Sequence, residues 1–219
     1  MAADTSSDST APVSGGGGGG NAGSSEGAGA GAGPGELSGP AWVARFPTRT
    51  DVAALEAGFQ ANVRRFLEAL GEAGATTEIT ATLRPVERAY LMHFAYCIAK
   101  QHSSPQGIPP QPGVDIVWAH PTDDESRQAA RQMCDGYGID ALQVPPALGS
   151  RHTQGRAIDM IIGWDGTLSI KRADGTTAAI ASTPRDSTNP DLIAVGKTYG
   201  VIHFLHPAQD RVHWSTDGH

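Results

Sequence analysis

The chain has 219 residues, a length for one domain plus an extension, with 39% hydrophobic residues and a formal net charge of -7. The acidic balance excludes a nucleic-acid binder, which needs a basic footprint, and no block of Lys or Arg offsets it. No stretch is long and apolar enough to cross a bilayer, and residues 1–40 lack the basic start and apolar run of a secretory signal.

Residues 1–40 are mostly Gly, Ala, Ser and Pro, with Asp4, Asp8, Glu26 and Glu36. Such a segment buries too little apolar surface to offset its ordering entropy, so it reads as a disordered tail or linker. The glycines of residues 27–35 follow no strand and open no helix, which rules out a dinucleotide fingerprint. The folded domain is expected over residues 41–219.

Thr50 or Asp51 can cap a first helix, in which Val52, Leu55, Phe59, Val63, Phe66, Leu67 and Leu70 recur at helical spacing until Gly71 and Gly74. Residues 77–83 alternate and predict a strand ending at Arg84. Pro85 opens a second helix reaching about Lys100. Residues 105–112 read as a loop, and 123–137 as a third helix ended by Gly136 or Gly138. Residues 156–162 form a strand with Ile158, Met160 and Ile162 on one face and Ala157, Asp159 and Ile161 on the other. Asp165-Gly166 and Asp174-Gly175 signal turns, so residues 164–180 make a hairpin. Asn189-Pro190 starts a short helix ending near Gly200, and residues 201–205 and 211–214 are short strands. Helices come first and strands late, which predicts an α+β fold with helices packed on a small antiparallel sheet. Cys97 and Cys134 have no metal-type spacing and read as buried reduced thiols, with one disulfide as the alternative.

Asp159 is the most informative residue. Its strand is otherwise apolar, and a buried carboxylate is costly unless paired or metal-bound. A salt bridge to Arg84 or Arg156 would satisfy it. His152, in a loop that bends at Gly155, offers a second reading. His152 and Asp159 are ordinary zinc ligands, and His213 can complete a set of three with a position left open for catalysis. Asp210 could then take a proton from a water activated there. His203 or His206 could also line such a site. Trp118 and Trp164 could line a groove but suit the core equally. Ser150 lacks the Gly-x-Ser-x-Gly pattern of a serine hydrolase.

Residues 150–159 match the pattern Ser-x-His-x-x-Gly-x-Ala-x-Asp, and Asp210-Arg211-Val212-His213-Trp214 matches acid-x-x-His-aromatic. Together they resemble the D-alanyl-D-alanine carboxypeptidase and L-alanyl-D-glutamate endopeptidase family of zinc peptidases, which shares a fold with lysostaphin-type enzymes and the hedgehog signalling domain. The resemblance covers about residues 41–219. It implies a zinc ion on His152, Asp159 and His213, Asp210 as catalytic base, Arg84 against the substrate near the metal, and Ser150 in substrate binding. The substrate it implies is the stem peptide of bacterial peptidoglycan. Asp at position 210, rather than Glu, is similar to the phage-type endopeptidases. A non-catalytic, zinc-containing cell-wall-binding module is the alternative. By analogy with delivered effectors, the protein is expected to be made in the bacterial cytoplasm and to reach the periplasm or cell wall through a secretion machine or lysis. An immunity protein is the further partner that analogy brings, and a monomer is expected. Residues 101–113 and 164–186 are the expected groove walls.

Overall fold

The structure, a computed structural model, describes residues 35–219. Most of the expected tail therefore lies outside the described residues, but its boundary moves. Residues 35–40 belong to the folded body. Glu36–Leu37 (β1) pairs in parallel with Ile116–Val117 (β3). Ser38 is buried, with its hydroxyl 3.0 Å from Nε2 of His120. A short 3-10 turn over Pro40–Trp42 then turns Trp42 into the interior, where its indole N–H donates to the Leu37 carbonyl. Strand pairing uses backbone groups, so a Gly-rich composition did not exclude it.

The fold is mixed α+β, with four α-helices and small antiparallel sheets among the described residues. The helices are Ala57–Glu72 (α1), Val86–Lys100 (α2), Asp123–Tyr137 (α3) and Pro190–Thr198 (α4). The central sheet holds Thr76–Ala81 (β2), Ala157–Gly163 (β4), His213–Ser215 (β8) and Ile202–His203 (β7), all antiparallel, in that spatial order. Leu168–Lys171 (β5) and Thr177–Ile180 (β6) form a separate hairpin closed at Asp174-Gly175. Residues 164–167 stay outside that hairpin, so the expected ladder is shorter at its start.

There are two apolar cores, one of them packed on the central sheet. One face of α1 supplies Phe59, Val63, Phe66 and Leu70, which pack on Ile158, Met160 and Ile162 of β4 together with Trp214, the hairpin and α4. The alternation of β4 produces this: Ile158 and Met160 are inaccessible while Ile161 is exposed. The second core joins α2 and α3 around Trp42, Leu91, Ile98, Trp118 and Met133. Trp118 and Trp164 are both buried, so both are packing residues, and Trp118 donates its N–H to the Tyr90 hydroxyl. Cys97 and Cys134 are buried free thiols. No helix among the described residues is long and apolar enough to cross a membrane.

The first helix starts later than expected. Thr50 and Asp51 do not cap it. Val52–Ala54 forms a 3-10 turn, Leu55 is extended, and Glu56 caps α1 by accepting from the backbone N–H of Gly58 and Phe59. The break lets the Glu56 N–H reach the carbonyl of Gly155, 2.9 Å away, in the loop that leads into β4. A tertiary contact thus overrides an apolar pattern that runs on through the turn.

Candidate metal centre

Three side chains meet at the end of the central sheet. Asp159 on β4 and His213 on β8 are direct cross-strand partners, so both project from one face. His152 arrives from the loop before β4. That loop is folded tightly by local bonds: the Thr153 hydroxyl donates to the Ser150 carbonyl (2.8 Å) and accepts from the Ser150 N–H (2.8 Å). Gly155 closes the loop with φ 66°, in the left-handed region open to glycine. An added Cβ there would lie 3.0 Å from the Glu56 nitrogen and 3.3 Å from the Ala54 carbonyl oxygen.

The geometry is a nearly equilateral triangle. His152 Nε2, His213 Nδ1 and Asp159 Oδ1 are 3.1 Å apart on each side. The other ring nitrogens decide what the triangle can be. His152 Nδ1–H donates to the Thr82 carbonyl at 2.8 Å, and His213 Nε2–H donates to the His219 carbonyl at 3.1 Å. A neutral ring in either position would thus use its one proton on a backbone oxygen and turn its lone pair to the carboxylate oxygen. Three such lone pairs at this spacing are held together by a shared cation, a proton on a ring or a metal ion.

A metal ion fits this arrangement. Ligand atoms 3.1 Å apart on the face of a tetrahedron imply a centre about 1.9 Å from each, close to usual zinc–nitrogen and zinc–oxygen distances. Backbone carbonyls that fix the ring tautomers are the ordinary outer support of metal-binding histidines. His152 and His213 are buried and Asp159 is nearly so, and no other described His, Cys, Asp or Glu joins them as a ligand group. Burial alone would raise the Asp159 carboxyl, but hydrogen bonds and charge from His152 and His213 hold it well below the usual carboxylate range. Burial works against charge on His213 as well, yet Asp159 and the His219 carbonyl raise it above its ordinary value.

The remaining expected site residues surround this group. Arg84 donates its backbone N–H to the His152 carbonyl at 3.2 Å, its charge reaches Asp159, and its buried Nε–H has no protein partner. It forms no salt bridge to Asp159, whose direct partners are the two histidines. Asp210 lies in the turn between β7 and β8, where its Oδ1 accepts from the Val212 N–H at 3.3 Å. Its carboxylate is not one of the clustered ligand atoms, though its charge helps raise His213. Ser150 accepts from the Thr153 N–H and lines a cavity of about 290 Å³ with Gly149, Arg151, Gln154, His213 and His219. Residues 101–113 and 164–186 do not line that cavity.

His203 and His206 are not ligands. His203 is buried edge-on against Trp214, with its ring nitrogens 3.1 Å from the carbonyls of Phe204 and Arg211. The carbonyls of Thr82 and His219 went unnoticed in the sequence because a backbone oxygen carries no residue signature. Asp217-Gly218 was the one available hint, as a turn signal beside His213. No family model matches the chain, and a search of curated proteins finds no match.

Proposed function

We propose that this chain is a zinc peptidase that hydrolyses peptide bonds in the stem peptides of bacterial peptidoglycan, with the fold of the hedgehog and D-alanyl-D-alanine peptidase type. The observation that carries the metal half is the convergence of three lone pairs on one point among buried side chains. The two sequence patterns that suggested the substrate meet at that same point, across a separation of 54 residues between Asp159 and His213. Two imidazoles and one carboxylate suit zinc with a fourth position left open.

Zinc held there would act as a Lewis acid toward water and the scissile carbonyl. Asp210 is the base in this reading: it takes the proton of the attacking water and delivers it to the leaving amine. Arg84 holds a substrate oxygen with the guanidinium edge that the protein leaves unpartnered. Ser150 and the cavity beside His213 receive the neighbouring part of the peptide. The stem-peptide bond is of the L-Ala–D-Glu or D-Ala–D-Ala type.

The test is elemental analysis of the purified chain, followed by mass spectrometry of products released from purified sacculi. One zinc per chain and a defined peptide product are expected, with Asp210→Ala lowering the rate by about 10²–10⁴-fold, the usual worth of a positioned base. Zinc retained on a protein that binds sacculi and releases nothing would replace the enzyme with a binding module. Equal product from Asp210→Ala would remove Asp210 from the mechanism.

A further inference from the structure

His152 and His213 come from segments far apart in the chain, and one ion pair joins their surroundings. Arg151 immediately precedes His152. Its Nε–H reaches both carboxylate oxygens of Asp217 at 3.1 Å, its Nη2 also donates to Asp217, and its Nη1 donates to Gln154 Oε1 at 2.9 Å. Asp217 belongs to the turn that presents the His219 carbonyl to His213. The buried Ser215 hydroxyl accepts from the N–H of Gly218 (2.8 Å) and of His219 (3.1 Å), and Asp217 Oδ1 also accepts from His219 at 3.3 Å. Gly218 takes φ 79° with the His203 carbonyl 3.0 Å from where a Cβ would be, so the turn is packed as well as bonded.

We infer that the Arg151–Asp217 pair is a positioning device for the metal centre, locking the turn that orients His213 onto the loop that carries His152. The inference rests on the metal reading of the triad and not on the peptidase reading. A planar fork on a carboxylate fixes distance and orientation together. Both side chains are about one-third exposed, at 33% and 38%, and a pair so exposed adds little to global stability. Its effect should therefore appear in metal affinity rather than in the melting temperature of the chelated protein.

The experiment measures zinc affinity of the full chain by competition with a chromogenic chelator, alongside thermal melts in chelator. Asp217→Asn and Arg151→Gln should each weaken zinc binding by about 10–100-fold, as loss of outer support around a metal ligand does. The double variant should be no weaker than the weaker single one. His219→Ala should bind within about twofold of wild type, because only the backbone carbonyl is used. If Asp217→Asn also lowers the chelated melt, Arg151→Lys reads the same coupling, since it keeps the charge and loses the fork. Unchanged affinity in both Asp217→Asn and Arg151→Lys overturns the inference and leaves the metal centre standing. A loss in His219→Ala equal to that in Asp217→Asn overturns it too, by assigning the contact to the side chain. Wild type that binds no zinc ends the metal reading and this inference with it.

Discussion

Replacing Gly155 by Ala should destabilise the protein and loosen its metal site together. Gly155 holds φ 66°, and an L side chain in that left-handed region costs about 1–2 kcal/mol. The new methyl would also meet the Glu56 nitrogen at 3.0 Å and the Ala54 carbonyl oxygen at 3.3 Å. Both are backbone atoms in a turn that is itself hydrogen-bonded to Gly155, so neither can swing aside. Overpacking of this kind adds about 1–3 kcal/mol. Reduced freedom of the unfolded chain offsets about 0.4–1 kcal/mol, leaving a net loss of about 1–4.6 kcal/mol. For a domain of this size that corresponds to a fall of about 2–18 °C in Tm. Thermal denaturation followed by circular dichroism in chelator measures it, and zinc titration should show weakened affinity because Gly155 ends the His152 loop and leads into the Asp159 strand. Gly71→Ala is the internal control: it lies in α1, has nothing within 4 Å of the added carbon, and should stabilise by about 0.5–1 kcal/mol. A Gly155→Ala melt within about 2 °C of wild type, or equal shifts for both variants, would refute the argument from backbone conformation and contact.

Two further outcomes follow from the titrating groups. In chelated protein His213 lies above its ordinary value, so the stability it lends is full below about pH 6.5 and fades as pH rises through its folded value. Asp159 lies below its ordinary value, so its share is present above about pH 4 and fades only at strong acid. The ion-free site should therefore contribute most between those limits and less at pH 8, whereas zinc-loaded protein should gain from pH 5.5 to pH 8 as protons stop competing for the ligands; melts at both pH values with and without zinc decide it, and an unchanged order would count against the converging lone pairs. Burial raises the Cys97 thiol and pushes Cys134 up to about 11, so iodoacetamide at pH 8 should label neither appreciably in folded protein and both after denaturation, as read by mass spectrometry.

What the sequence disclosed depended on how local each signal was. The bounds of α3 are legible because its end signal is local: of the two expected stops, Gly136 and Gly138, the structure uses Gly138, and a reciprocal Thr122–Glu125 cap that the sequence reading did not use holds the start. The burial of β4 was equally plain, since alternation alone assigns Ile158, Met160 and Ile162 to the core. The start of α1 departs from the expectation because the apolar spacing of Val52 and Leu55 is compatible with a helix, and only contact with Gly155 breaks it. β1 was missed because Glu36 and Leu37 become a strand only when β3 is beside them. At the site, the three side chains that cluster are legible from residue type and order. The supports from Thr82 and His219, and the pairing of Arg151 with Asp217, depend on chain crossings that no local pattern records.

The position of the triad also bears on how the fold is held. Asp159 and His213 are opposite one another on β4 and β8, while His152 hangs from a loop whose carbonyls accept from the N–H groups of Arg84 and Glu56. A cation on the three side chains would cross-link that loop to two strands, closing 61 residues of chain between His152 and His213. β7 and β8 are only two and three residues long, too short to hold much by pairing alone. Metal binding would add a cross-link beside this short pairing. Occupancy of the centre and integrity of the β7–β8 edge should therefore rise and fall together, because His213 is the first residue of β8.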